Sequence, residues 1–367
     1  MKSYLELPYQ RVADSPSVKY YTAWQVFDEY LLSGRPAREA GFDEELLTSL
    51  GVKPDYVVTP STRAEAPVRW PREPDTRLAS FHFSNISSSL ELRLEDADAV
   101  VLLGKPLEGF HASHLNISSS GDSSLAILLL SPGGARGLST VSLNISVARG
   151  SHLNLTYAVF DSRSSATALM QVLDVGGGSA VSQRVFLSGG RAILGELSAS
   201  LSGPGAELTE GVLVAGLEGA NTTVVTDAVS PVPSSSVRIS LLGLATSGYI
   251  AHKGVLRLHR GASGSRAVLS SRLIPLTQRA RVYSSPFLEI ESDDAEEARH
   301  SASHAPLGPE KIFYLRARGF SLSEAVRALL EAEARQALGG GGSGDDLASL
   351  LARQLLEKVA AELPELL

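Results

Sequence analysis

From about residue 79 to 292 the chain repeats one pattern. Short runs of alternating apolar and polar residues are separated by clusters of glycine and serine, with no helical stretch between them. AVVLL at 99–103, SLAILLL at 124–130, TVSLNISV at 140–147, SHLNLTYAVF at 151–160, GVLVAGL at 211–217 and SVRISLLGLA at 236–245 are examples. In TVSLNISV, Leu143, Ile145 and Val147 point one way and Ser142, Asn144 and Ser146 the other, which is the period of a strand. So long a succession of strands without helices leaves a sandwich, a barrel or a β-solenoid. The strands are short, and the Asn-Gly and Asp-Gly pairs that close tight hairpins are missing here. This favours a right-handed parallel β-helix, with a two-sheet sandwich as the alternative that periodicity leaves open. Aromatics are only 6% of the chain, while small and branched residues abound, as thin repetitive layers require.

Helical patterns flank this region. Trp24, Phe27 and Leu31 recur on one helical face up to Ser33-Gly34, and Thr22 with Gln25 fits a capping box. Phe42, Leu46, Leu47 and Leu50 form a second stripe ending at Gly51, a candidate C′ residue. Four prolines between 60 and 78 mark a linker or irregular cap. After the strands, Ser321 and Glu324 make a capping box, Leu322, Val326, Leu329 and Leu330 form a stripe, and Glu331 and Arg335 are spaced for an i,i+4 pair. GGGGSG at 339–344 reads as a flexible hinge before a last helix with Leu347, Leu350, Leu351, Leu355 and Val359 on one face. The expected division is a helical region and linker at 1–78, the β-helix core at 79–305 and a helical domain at 306–367. The terminal helices are placed as caps for the open end rungs, with the C-terminal pair also available to a partner.

A net charge of −7 argues against nucleic acid or an anionic membrane as the main partner. No run approaches the ~18 apolar residues of a spanning helix. The N-terminus has no apolar signal core, so a soluble cytoplasmic protein is expected and five Asn-Xaa-Ser/Thr matches carry no consequence. With no cysteine there is no disulfide and no thiolate nucleophile or ligand. Nucleotide-binding loops and a G-x-S-x-G elbow are absent.

Two features could carry chemistry. His111 and His114 form one close pair, read as structural because only Glu108 lies near in sequence. ESDDAEEARHSASH at 291–304 gathers Glu291, Asp293, Asp294, Glu296 and Glu297 before His300 and His304. An i,i+4 histidine pair suits a metal on a helix, but the strand-like 286–292 and Pro306 and Pro309 make a helix doubtful there. A solvated acidic turn is the plainer reading. Paired carboxylates on a β-helix also suggest a carbohydrate-active enzyme using Asp293, Asp294 or Glu297.

Residues 284–325 resemble the C-terminal signature of the SufB/SufD family of SUF iron–sulfur cluster assembly proteins. The residues that carry it are Pro286, Leu288-Glu289, Asp293-Asp294, His300, Glu310, Phe313-Tyr314-Leu315, Arg318-Gly319 and Glu324-Ala325. AHKGVLRLHRGASGSRAVLSSRLI upstream is similar to the family's late strands. The resemblance implies a parallel β-helix and a non-enzymatic scaffold role. It implies pairing with a SufB-like chain or a second copy through the last rungs, and docking of a SufC-like ABC ATPase on the C-terminal helices. Phe313, Tyr314, Leu315, Arg318, Gly319, Val326, Leu329 and Leu330 would meet that partner. Where SufB-type members carry a cysteine, near Ala280, this chain has none, so it cannot hold an ordinary cluster alone. The expected role is SufD-like: His300 lends an imidazole, with Glu297 and His304 as further candidates, to a transient cluster at the partner interface. A homodimeric structural β-helix protein is the third alternative.

Overall fold

A computed structural model describes residues 4–10, 20–62, 64, 67–339 and 346–363. The expected glycine-rich hinge falls, apart from Gly339, outside the described residues.

The strands form a parallel β-solenoid. Leu138–Val147 runs out along one sheet, 148–151 turns, and His152–Asp161 returns along the other. A second turn at 162–165 then starts Ala166–Val175, which lies beside Leu138–Val147 in parallel, with Leu138 paired to Ala166. Repetition builds an eight-stranded and a nine-stranded parallel sheet, face to face. Every second residue points between them, so Leu143, Ile145 and Val147 join one continuous core with Leu153, Leu155 and Tyr157 of the returning strand. Both faces of each sheet are covered, which is why many strands read as nearly unbroken apolar runs.

The covers come from the termini. Helices α1 (Trp24–Ser33), α2 (Glu44–Ser49) and α3 (Arg77–Ser84) precede the long strands, while α4 (Pro309–Ala317), α5 (Leu322–Ala337) and α6 (Leu347–Ala361) follow them. Trp24, Phe27, Leu31 and Phe81 pack on Phe110, Leu138, Ala166 and Leu194 of the eight-stranded sheet. On the nine-stranded sheet, Leu46 of α2, Val326 and Leu330 of α5 and Leu351 and Leu355 of α6 cover Leu128, Phe160, Phe186, Leu213 and Leu242. Asp43 caps α2 by accepting from Leu46 N, and Gly51 follows with φ +64°. The capping box of α5 is complete, Ser321 and Glu324 bonding each other's backbone N–H.

Three expectations change. Thr22 does not cap α1, whose N-cap is Ala23 without a side-chain bond. Its hydroxyl instead bonds Thr223 at 3.0 Å, pinning the chain to the sheet before the helix starts. Glu331 and Arg335 make no ion pair among the described residues. Glu333 of the same helix holds Arg272 at 2.9 Å and Lys311 at 3.6 Å. Finally, the C-terminal helices do not close the last turn of the solenoid. Their apolar stripes find a broader surface on the outer face of the nine-stranded sheet, and among the described residues the end stays open.

Candidate functional site

The open end consists of the strands Arg281–Ile290 and Glu297–His304, the last of each sheet. Among the described residues no further strand stacks on them, so their inward side chains are covered from below only. Register fixes which those are. Ser284 lies over His252 and Leu288 over Leu256, and His300 lies over Leu269 and His304 over Leu273. The layer beneath is fully buried, with His252, Leu269 and Leu273 at 0% exposure. His300 and His304 are themselves exposed.

His304 Nε2 meets Ser284 Oγ across the end at 2.7 Å. His300 has no hydrogen-bond partner among the described residues, and it is alone among the eight histidines in this. His152 bonds Asp122 and His259 bonds Glu291. His252 is held by Ser271 at 2.9 Å and Thr226 at 3.1 Å, and its burial pushes the ring down to about 3. The His111/His114 pair belongs to a buried network under α3, as its reading as structural anticipates. His82 Nδ1 meets Thr140 at 2.9 Å and its Nε2 meets Ser142 at 2.7 Å, while Ser142 also meets His114 Nδ1 at 2.7 Å and His114 Nε2 accepts from Arg69 N at 3.3 Å. His111 meets Ser88 at 2.8 Å. Burial lowers all three rings, His82 to about 3 and His111 to about 4.

The structure does not bring the expected metal ligands together. Residues four apart on a strand are separated by ~13 Å at ~3.3 Å per residue, so His300 and His304 cannot grip one ion as a helical pair would. Glu297 has the opposite parity to both, points outward and pairs with Arg299 at 2.9 Å. No cluster of three metal-ligating side chains occurs among the described residues. The acidic run is the turn itself. Asp294 accepts from Ser263 at 2.5 Å and Ser292 at 3.1 Å, Glu296 pairs with Arg266, and Glu291 meets His259 at 3.2 Å. The Ser263 hydroxyl beside Asp294 and the guanidinium beside Glu296 hold both carboxyls below their ordinary range. A general acid of a glycosidase needs the opposite shift.

The expected partner residues divide into two groups. Phe313 and Tyr314 on α4 are 75% and 56% exposed, and Arg318 lies 4.8 Å over the Tyr314 ring. Leu315 is half-buried, and Gly319 turns the chain toward α5 with φ +96°. Val326 and Leu330, by contrast, are 2% and 4% exposed because they anchor α5 to the sheet, and Leu329 is half-buried. The apolar stripe of α5 is therefore satisfied within the chain, and α4 carries the uncovered aromatic surface. Sequence reasoning passed over Ser284 and His252, whose relation to the last strand exists only through the stacking of turns.

The chain is thus a cysteine-free parallel solenoid whose last turn, open among the described residues, presents a histidine without a hydrogen-bond partner. Residues 105–333 match the family model described as SUF system FeS cluster assembly, SufBD core domain. That is more than half of the chain, and the protein belongs to the SufBD family. It is similar to the iron–sulfur cluster assembly protein SufD of Bacillus subtilis (strain 168), 31% identical over 127 residues, which are 31% of this chain and 29% of that one. A SufBD family protein of Mycobacterium leprae (strain TN) is 31% identical over 108 residues, 29% of this chain and 25% of the relative. Protein ABCI7, chloroplastic, of Arabidopsis thaliana is 35% identical over 85 residues, 23% of this chain and 18% of its own length. The matched segments thus span less than a third of each relative. No helix among the described residues is long and apolar enough to cross a membrane.

Proposed function

We propose that this chain is a non-catalytic, SufD-like scaffold subunit of a cytoplasmic iron–sulfur cluster assembly complex. It pairs through its open last turn with a cysteine-bearing SufB-like chain or a second copy. The nascent cluster is its cargo, held at that interface and not bound by this chain alone. The observation that carries this reading is His300, an exposed imidazole facing the open end with both ring nitrogens unclaimed among the described residues. Imidazole replaces thiolate on one iron in some clusters, so a thiolate from the partner completes a chemically reasonable site. Unpaired edge strands invite pairing with another chain, which supports placing the interface at Arg281–Ile290 and Glu297–His304. The exposed Phe313, Tyr314 and Arg318 have the aromatic and arginine character of interface anchors, and they fit α4 as the contact for a SufC-like ATPase.

The test is co-expression with a SufB-like chain and a SufC-like ATPase, followed by cluster reconstitution. A stable ternary complex is expected, with cluster yield lost in His300→Ala and ATPase recruitment lost in Phe313→Ala/Tyr314→Ala. A monomer indifferent to both chains would sink the reading.

A further inference from the structure

In the middle turns of the solenoid four large polar side chains point into the core. Tyr157, Gln171, Gln183 and Glu210 are each 2% exposed or less. Gln183 Nε2 donates to Glu210 Oε2 at 2.8 Å, and register stacks these two on adjacent turns of the nine-stranded sheet. Tyr157 lies one turn earlier in that sheet, paired to Val185. The turn at 162–165 folds its strand against Ala166–Val175, which brings Gln171 of the opposite sheet to a similar level. Among the described residues the Tyr157 hydroxyl, Oε1 and Nε2 of Gln171, Gln183 Oε1 and Glu210 Oε1 meet no hydrogen-bond partner. Buried polar atoms are almost always partnered, by protein or by ordered water, and five unmet in one stretch of core call for a partner that protein does not supply.

We infer that ordered water occupies this stretch of the solenoid interior and bridges Tyr157, Gln171, Gln183 and Glu210. The mixed chemistry of the unmet atoms selects water over a cation. They include donors, the Tyr157 hydroxyl and Gln171 Nε2, as well as acceptors, and a cation cannot accept a hydrogen bond from either donor. Gly195, paired to Leu169 two residues from Gln171, carries no side chain on the inner face. Burial pushes the Glu210 carboxyl up to about 8, so at pH 7 it is neutral and needs no counter-ion. The site is also separate from the open end. Ile239 and Leu269 stand between Glu210 and His300 in the same inward column.

A high-resolution crystal structure of the full chain tests this directly. Ordered solvent within hydrogen-bonding distance of the Tyr157 hydroxyl and the Gln171 amide is expected. Direct pairing of these groups with one another, or an empty space between them, overturns it. Oxygen-17 relaxation dispersion gives an independent reading in solution. The wild-type protein should show long-lived internal water, and Gln171→Leu should lose at least one such molecule. A wild-type signal with no internal component, or one unchanged in Gln171→Leu, contradicts the inference.

Discussion

At the scale of single residues, the eight histidines differ by what meets their ring nitrogens. His82, His111 and His252 are buried, hydrogen-bonded to hydroxyls and held neutral, at about 3, 4 and 3. An unfolded chain returns each to about 6.5. As pH falls below that value the unfolded state takes up protons first, so stability present above about 6.5 is lost progressively toward about 3. The urea midpoint is expected to drop steadily from pH 7 to pH 4, and less steeply in His252→Gln. A midpoint that rises on acidification would contradict the buried, neutral assignment. Lys105 gives a second prediction. Its ammonium and Asp161 are both fully buried, 2.8 Å apart, and the lysine also bonds Ala166 O and Thr167. Lys105→Met leaves a buried carboxylate without its cation and is expected to cost about 3–5 kcal/mol, read as a lower denaturation midpoint. The double change Lys105→Met/Asp161→Leu should recover much of that loss. Little of this is visible in sequence, because the partners lie whole turns away along the chain. The scarcity of carboxylates near His111 and His114, with Glu108 alone close by, did mark that pair as structural, yet Ser142 could be matched to His114 only once the turns were stacked.

At the scale of elements, alternation reveals strands well and helix ends less evenly. The Ser321 capping box forms as its spacing requires, and Ser321→Ala should cost about 1 kcal/mol of stability, measurable by thermal unfolding. Thr22 has an equally good local signal and fails, because a sheet hydroxyl some two hundred residues away competes for it. The stripe of α5 is legible too, but its destination is not. A sequence pattern states that a face is apolar, and only the fold says whether the chain itself or a partner covers it. Here the chain covers it, closely enough that a Cβ on Gly211 would stand 2.7 Å from Ala337 O. Gly211→Val is therefore expected to lift the end of α5 off the sheet. Hydrogen exchange should rise in 330–338 and stay unchanged in the strands around 143 and 173. Unaltered exchange in α5 would show that the helix is not seated on the sheet as described.

At the scale of the molecule, helices clad the two outer faces of the solenoid, and among the described residues none closes its last turn. Alternating strands without hairpin signals pointed to a stacked architecture. The terminal helices, expected as caps for the end rungs, instead cover the outer faces, because the cost of an exposed end and the gain of an apolar outer face are compared only in three dimensions. The same distinction resolves ESDDAEEARHSASH. In sequence its carboxylates dominate; in the fold Glu296 and Glu297 pair with Arg266 and Arg299, Glu291 meets His259 and Asp294 accepts from serine hydroxyls, while the two histidines face the open end about 13 Å apart. The central claim is that this end is a docking surface where His300 meets a partner's thiolate. The most direct measurement replaces His300 with cysteine and mixes the variant with a SufB-like chain under mild oxidation. An interchain disulfide to a single SufB-like cysteine, absent from the His304→Cys control and abolished by replacing that cysteine, is the predicted result. No crosslink from His300→Cys in a complex that otherwise assembles would contradict the account.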